Sequence, residues 1–139
     1  MSNRLVQFGI FLSFAMTLTI ASGKASDHRT FYTFVQAESG KRAYGTYCSS
    51  CHGVDLRGPQ APLVGPAFVS LGSDNHMSMG TFFDFLVRDT PANSIGSLSH
   101  RDYVEIMAYI LKMNGYAPGR SPLRYDTAMR ERTKIGDGR

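Results

Sequence analysis

The sequence predicts an all-α protein on three observations. No stretch sustains the alternation of apolar and polar residues that marks a strand. Several segments place apolar residues at helical spacing instead. These segments also carry the start and stop residues of helices.

Taken in chain order, the first 25 residues form a signal peptide. Met1-Ser2-Asn3-Arg4 is short and basic, and Leu5 to Ile20 is uncharged and mostly apolar. Small residues follow at Ala21-Ser22-Gly23, where a signal peptidase reads. The alternative is a retained anchor, but the apolar run is shorter than the roughly 20 residues of a spanning helix. Residues 26–36 are expected to be a flexible lead, 37–119 the folded domain and 120–139 a C-terminal extension. The first helix is expected to be capped by Ser39 and to run to Tyr47, with Ala43, Tyr44 and Tyr47 on one side. Gly53 to Ser78 is rich in Gly and Pro and predicts an irregular stretch. Such a length suits a compact domain only if it wraps something large and apolar that the chain does not itself supply. Met79, Phe82, Phe83, Leu86 and Val87 make the stripe of a middle helix. Pro91 disfavours helical geometry at Thr90, so this helix ends near Asp89. Ser99 and Asp102 form a capping pair for the last helix, and Tyr103, Ile106, Met107, Ile110 and Leu111 are its stripe. Asn114-Gly115 is its stop. Beyond it the chain is polar and loosely held, with Pro118, Pro122, Leu123 and Tyr125 able to pack back.

Composition excludes several classes. With 139 residues the chain suits one domain. Two cysteines rule out a multi-disulfide scaffold and a four-cysteine zinc site. The formal charge of +4 falls to +2 once Arg4 and Lys24 leave with the signal, since thirteen basic residues then face eleven acidic ones. That small charge and the export signal argue against a nucleic-acid partner. The basic cluster Arg120, Arg124, Arg130, Arg132 and Lys134 is either a solvated tail or a docking patch for an acidic partner.

The chemistry lies in Cys48-Ser49-Ser50-Cys51-His52. C-x-x-C-H is the signature of c-type haem attachment. Two thiols three positions apart can reach the two vinyl groups of one haem, and the adjacent His can bind the iron. A thioredoxin-like pair would need a preceding strand and a βαβ context, which are not seen. Zinc would need further ligands, and His28, His76 and His100 are scattered. A plain disulfide with an incidental His is the remaining rival.

On these residues the region from Ala37 to Gly119 resembles a class I cytochrome c. More closely, it is similar to the small periplasmic cytochromes that accompany quinoprotein alcohol dehydrogenases. The resemblance is carried by Gly40-x-x-x-Tyr44, by Cys48 to Gly53, and by Ala61 to Phe68. It is also carried by Gly96 to Ser99, leading into Tyr103 to Leu111 and then Asn114-Gly115-Tyr116. It implies three to five helices around one covalent haem c, with Cys48 and Cys51 as anchors and His52 as the axial iron ligand. It implies a close contact of Gly40 and Tyr44 with Ile106 and Tyr109. It implies that the Pro62 carbonyl, or Pro59 in its place, receives the other ring N–H of His52. Tyr47, Leu63, Phe68, Phe82, Leu86 and Tyr103 become candidates for haem-pocket or core packing, and Arg57 for a haem propionate. The implied function is one-electron transfer in the periplasm, without enzymatic activity, between a quinoprotein dehydrogenase and a terminal oxidase or another cytochrome.

The sequence departs from that family at one position. Relatives place an iron-binding methionine just before a proline, where this chain has Thr90-Pro91. The sixth position is then open or water-filled beside Thr90, or taken by His76, Met77 or Met79, or by a group of a shifted 89–95 loop. Met79 and Met107 read more simply as core, and Met113 and His100 as remote from the iron. An open position makes the alternative function a haem protein that binds NO, CO or O2, or has weak peroxidase-like activity. A third possibility is an accessory subunit whose haem is structural.

Overall fold

Thr33, not Ser39, starts the first helix. Its hydroxyl accepts the Gln36 N–H at 3.3 Å, and the Gln36 side chain accepts the Thr33 N–H at 3.2 Å. This reciprocal pair satisfies two orphan donors of the first turn. In the computed structural model, which describes residues 29–139, α1 spans Phe34–Tyr47. Its buried stripe is Ala37, Gly40 and Tyr44, while Ala43 is half-buried and Tyr47 exposed. The stripe meets α5, His100–Met113. A Cβ on Gly40 would fall far inside van der Waals contact of the Glu105 carbonyl oxygen, so only glycine lets these two helices cross so closely. One turn further along, the Tyr44 and Tyr109 rings pack at 5.4 Å between centroids.

A one-turn helix, α2, covers Ser49–His52. The segment expected to be irregular contains a further helix, α3, over Pro66–Ser73. Gly65 caps it with a positive φ of 72° and Pro66 occupies its first turn, so no capping side chain announced it. Its buried Phe68 packs edge-on against Phe82 at 5.3 Å. The middle helix, α4, runs Met79–Asp89 from a Ser78 cap. Met79, Phe82, Phe83 and Leu86 are buried as the periodicity requires, and Thr90 is extended. Ser99 caps α5 by accepting the Asp102 N–H. Every residue of α5 from Tyr103 to Leu111 is buried. A helix covered all round in this way is the centre of the fold, with other segments laid over each side.

Two expectations about the ends need correction. Residues 26–36 are not a loose lead throughout, because Phe31 and Tyr32 are buried. The Tyr32 hydroxyl donates to the Tyr116 carbonyl, and the Tyr32 carbonyl accepts from Gly119 N–H. Residues 120–139 are not loosely held either. They form a sixth helix, α6, over Tyr125–Arg130, and then a strap. Tyr125 stacks on His100 at 3.7 Å and meets Phe83 edge-on. The strap pairs its backbone with the residues around the start of α4, where Met79 N–H donates to Thr133, Gly80 N–H to Glu131, and Ile135 N–H to Met77. Ile135 is buried. The sequence hides this because the extension is polar on average, with its few apolar residues spaced irregularly.

The described residues thus hold six helices, against the three to five expected, and no strand beyond one Ser78–Lys134 bridge. The excess over five lies in short pieces, α2 with four residues and α6 with six. None of these helices is long and apolar enough to cross a membrane. The signal peptide and His28 lie outside the described residues.

Candidate functional site

The end of α1 leads directly into the C-x-x-C-H motif. Cys48 N–H still donates to Tyr44 O at 2.8 Å. Cys51 N–H and His52 N–H both return to Cys48 O, at 3.2 and 3.0 Å. Cys48, Cys51 and His52 therefore occupy positions i, i+3 and i+4 of one turn, the spacing that shares a helix face. Both thiols are free, Cys48 half-buried and Cys51 exposed. Burial, and secondarily the neighbouring Cys51, push the Cys48 thiol up to about 11. At pH 8 only about one Cys48 in a thousand would then be thiolate. With both thiols unmodified, iodoacetamide is expected to label Cys51 at least tenfold faster than Cys48, as read by peptide mass spectrometry. Equal rates would mean that Cys48 is not protected by burial.

After His52 the chain turns back sharply. Gly53 takes a φ of 75°, and Gly58 N–H donates to His52 O at 2.7 Å. The Tyr44 hydroxyl holds Gly53 O at 2.8 Å. This turn brings the 59–63 loop back beneath the imidazole. His52 Nδ1 lies 2.8 Å from the Ala61 carbonyl oxygen. A carbonyl can only accept, so Nδ1 carries a proton; in the neutral ring the lone pair is then on Nε2, the form in which His binds a metal. The carbonyl belongs to Ala61, and neither Pro62 nor Pro59 supplies it. The register is fixed downstream, where Leu63 N–H donates to Leu56 O at 2.9 Å and Leu63 O accepts from Asn114 Nδ2 at 2.8 Å. With Leu63 pinned at both its groups, the carbonyl facing His52 is the one two residues earlier.

No family model and no curated protein matches the chain. The structure is similar to the crystal structure of the sulfane dehydrogenase SoxCD from Paracoccus pantotrophus. The TM-score is 0.53 and the identity 18%, covering 92% of this chain and 70% of that one. At that identity the likeness is one of fold.

Thr90 is placed at the end of α4, and its groups are engaged. Its hydroxyl donates to Leu86 O at 2.6 Å, and its carbonyl accepts from the Tyr103 hydroxyl at 2.8 Å. The proton that could have served a bound ligand is thus directed at the helix's own last turn. The other sixth-position candidates are also located. Met79 is buried in α4. Met77 is half-buried against the core, with its backbone held by Leu71 O on one side and Ile135 N–H on the other. His76 is exposed. Met107 is core and Met113 exposed. Among the packing candidates, Phe68, Phe82, Leu86 and Tyr103 are buried, Leu63 is half-buried, and Tyr47 and Arg57 are exposed.

The residue that sequence reasoning missed is Asn114. It was legible only as a helix stop. In the fold it is buried, and its amide donates to Leu63 O and Ile110 O while its oxygen accepts Gly65 N–H at 3.0 Å. It ties the loop that orients His52 to the end of α5. An asparagine before a glycine offers that possibility without indicating which distant loop it will hold.

Proposed function

We propose that the protein is a mono-haem c-type cytochrome of the class I kind, exported to the periplasm, and an electron carrier rather than an enzyme. The observation that carries this reading is the Cys48–His52 turn, which combines two free thiols on one helical face with an imidazole whose Nδ1 is already held by Ala61. Cys48 and Cys51 are the residues that would hold haem c by thioether bonds, and His52 Nε2 would bind its iron. When bound, the group supplies a one-electron iron couple. The Ala61 carbonyl keeps the ring in one tautomer and orientation and makes Nε2 a better donor. Gly53 and Gly58 close the turn that sets this bond. A fold like that of a sulfane dehydrogenase is in keeping with redox work. The suggested partners are a quinoprotein dehydrogenase on one side and a terminal oxidase or other cytochrome on the other.

The test is expression in the periplasm of a host with haem-attachment machinery. Covalent haem is expected on a denaturing gel, and Cys51→Ala should lower it at least tenfold. Unstained wild-type protein, under conditions where a control cytochrome stains, would falsify the reading.

Thr90 favours a second reading, a haem protein with an open sixth position that takes NO, CO or O2 or has weak peroxidase-like activity. Where the resembled family has a methionine this chain has a hydroxyl, which donates to Leu86 O. Thr90→Met is expected to convert a CO-responsive, high-spin spectrum into a low-spin one that ignores CO, and to raise the reduction potential. A wild-type protein that is already low-spin and indifferent to CO would remove this alternative.

A further inference from the structure

The basic tail acquires a definite shape in the fold. Residues 29–119 carry seven basic and seven acidic side chains, whereas residues 120–139 carry six basic and three acidic. All the net positive charge of the described chain therefore sits in residues 120–139. Two of the tail's acids are already engaged, since Arg124 and Arg130 both pair with Asp126, and Glu131 pairs with Arg29. Among the described residues Arg132 and Lys134 have no acidic partner, and both are exposed. They border a shallow concavity of about 580 Å³ together with Arg29, Thr133, Asp137 and Gly138. Arg29 precedes α1, and the C-x-x-C-H motif follows the other end of that helix. That helix, fourteen residues at 1.5 Å each, is about 21 Å long.

We propose that this concavity is a docking surface for an acidic protein surface, at the opposite end of α1 from the C-x-x-C-H turn. The occupant follows from its chemistry. Two unneutralised cations and a partly satisfied arginine attract carboxylates and speed encounter. No apolar side chain lines the hollow, so nothing there would insert into a bilayer, and a concave shape fits a protruding acidic segment better than a flat lipid surface. Asp137 on the rim repels a uniformly acidic partner at one point and so sets the register of a specific one. The location leaves the cysteine turn free, so that a partner can be held at one pole while the other stays accessible.

The test is an NMR titration of the purified full chain, as exported, with a 16-residue polyglutamate peptide at 20 and 150 mM salt. Amide shifts are expected to concentrate at Arg29 and residues 132–138, and affinity to fall at least fivefold at the higher salt. The double variant Arg132→Glu/Lys134→Glu should weaken binding at least tenfold. Lys41→Glu/Arg42→Glu, an equal charge change on exposed residues of α1, should alter it less than twofold. Shifts spread evenly over the surface, or equal loss in the two variants, would overturn the proposal in favour of unspecific charge attraction. A parallel titration with vesicles of 70% zwitterionic and 30% anionic phospholipid separates the remaining source. Binding to vesicles alone, lost in Arg132→Glu/Lys134→Glu, would assign the surface to lipid and overturn it as well.

Discussion

Replacing Gly40 by alanine is expected to destabilise the protein by about 3 kcal/mol or more, as an overpacked contact that cannot relax cheaply. The new methyl group would collide with the Glu105 carbonyl, which is backbone and belongs to the central helix. Neither helix can move away alone. Tyr44 against Tyr109 fixes the crossing on one side, and the Lys112–Glu38 ion pair spans it on the other. Gly45 provides the internal comparison. It lies in the same helix, with nothing within 4 Å of a Cβ placed there. Gly45→Ala should stabilise by about 0.5–1 kcal/mol, because only the helix propensity changes. Urea midpoints of the two variants would measure both signs. If the two substitutions gave effects of the same size and sign, the close crossing of α1 and α5 would be wrong.

Asn114→Ala is expected to cost about 3 kcal/mol, or a fall in Tm of about 15 °C. The loss is not that of one hydrogen bond. Leu63 O and Gly65 N–H lose their side-chain partner together in a partly buried region, while Ile110 O loses one of two donors and keeps the backbone N–H of residue 114. Asn114→Asp should be nearly as costly, since a carboxylate keeps the acceptor for Gly65 but turns a negative oxygen toward two carbonyls. Hydrogen exchange offers a local reading, in which the Gly65 amide should exchange at least tenfold faster in Asn114→Ala than in the wild type. An unchanged Gly65 rate would show that the amide finds its protection elsewhere. The effect bears on His52, because the loop released is the one that presents the Ala61 carbonyl.

The parts of the fold that sequence reading recovered are those written in local pattern. The stripe from Met79 to Leu86 and the cap at Ser99 rest on contacts within a few residues, so their spacing suffices. The helix start at Thr33 was also written locally, in the Thr33–Gln36 pair, and was obscured by the equally plausible cap at Ser39. Other features were not recoverable because they are long-range. Whether Ala61 or Pro62 meets His52 depends on Leu63 being held by Leu56 and Asn114. That Leu123 and Tyr125 could pack back was legible, but not that Tyr125 would find His100 or that Ile135 would find Met77 in an otherwise polar stretch. The site shows the same division. Cys48, Cys51 and His52 are adjacent in sequence and so could be placed together. The engagement of the Thr90 hydroxyl by Leu86 required the backbone of α4 to be known.

The C-terminal strap has a consequence for the order in which the molecule takes shape. The Cys48–His52 turn closes over four residues, whereas the bonds joining Gln36 to Leu123 and Arg29 to Glu131 close over 87 and 102. The entropy of closing a chain segment rises with its length, and distant pairings are the slow steps of folding. The turn, continuous with α1, is therefore expected to form before the last twenty residues are placed. An agent that modified the two thiols would meet a substrate with its recognition element formed, and the strap would then close elsewhere on the fold without covering that turn.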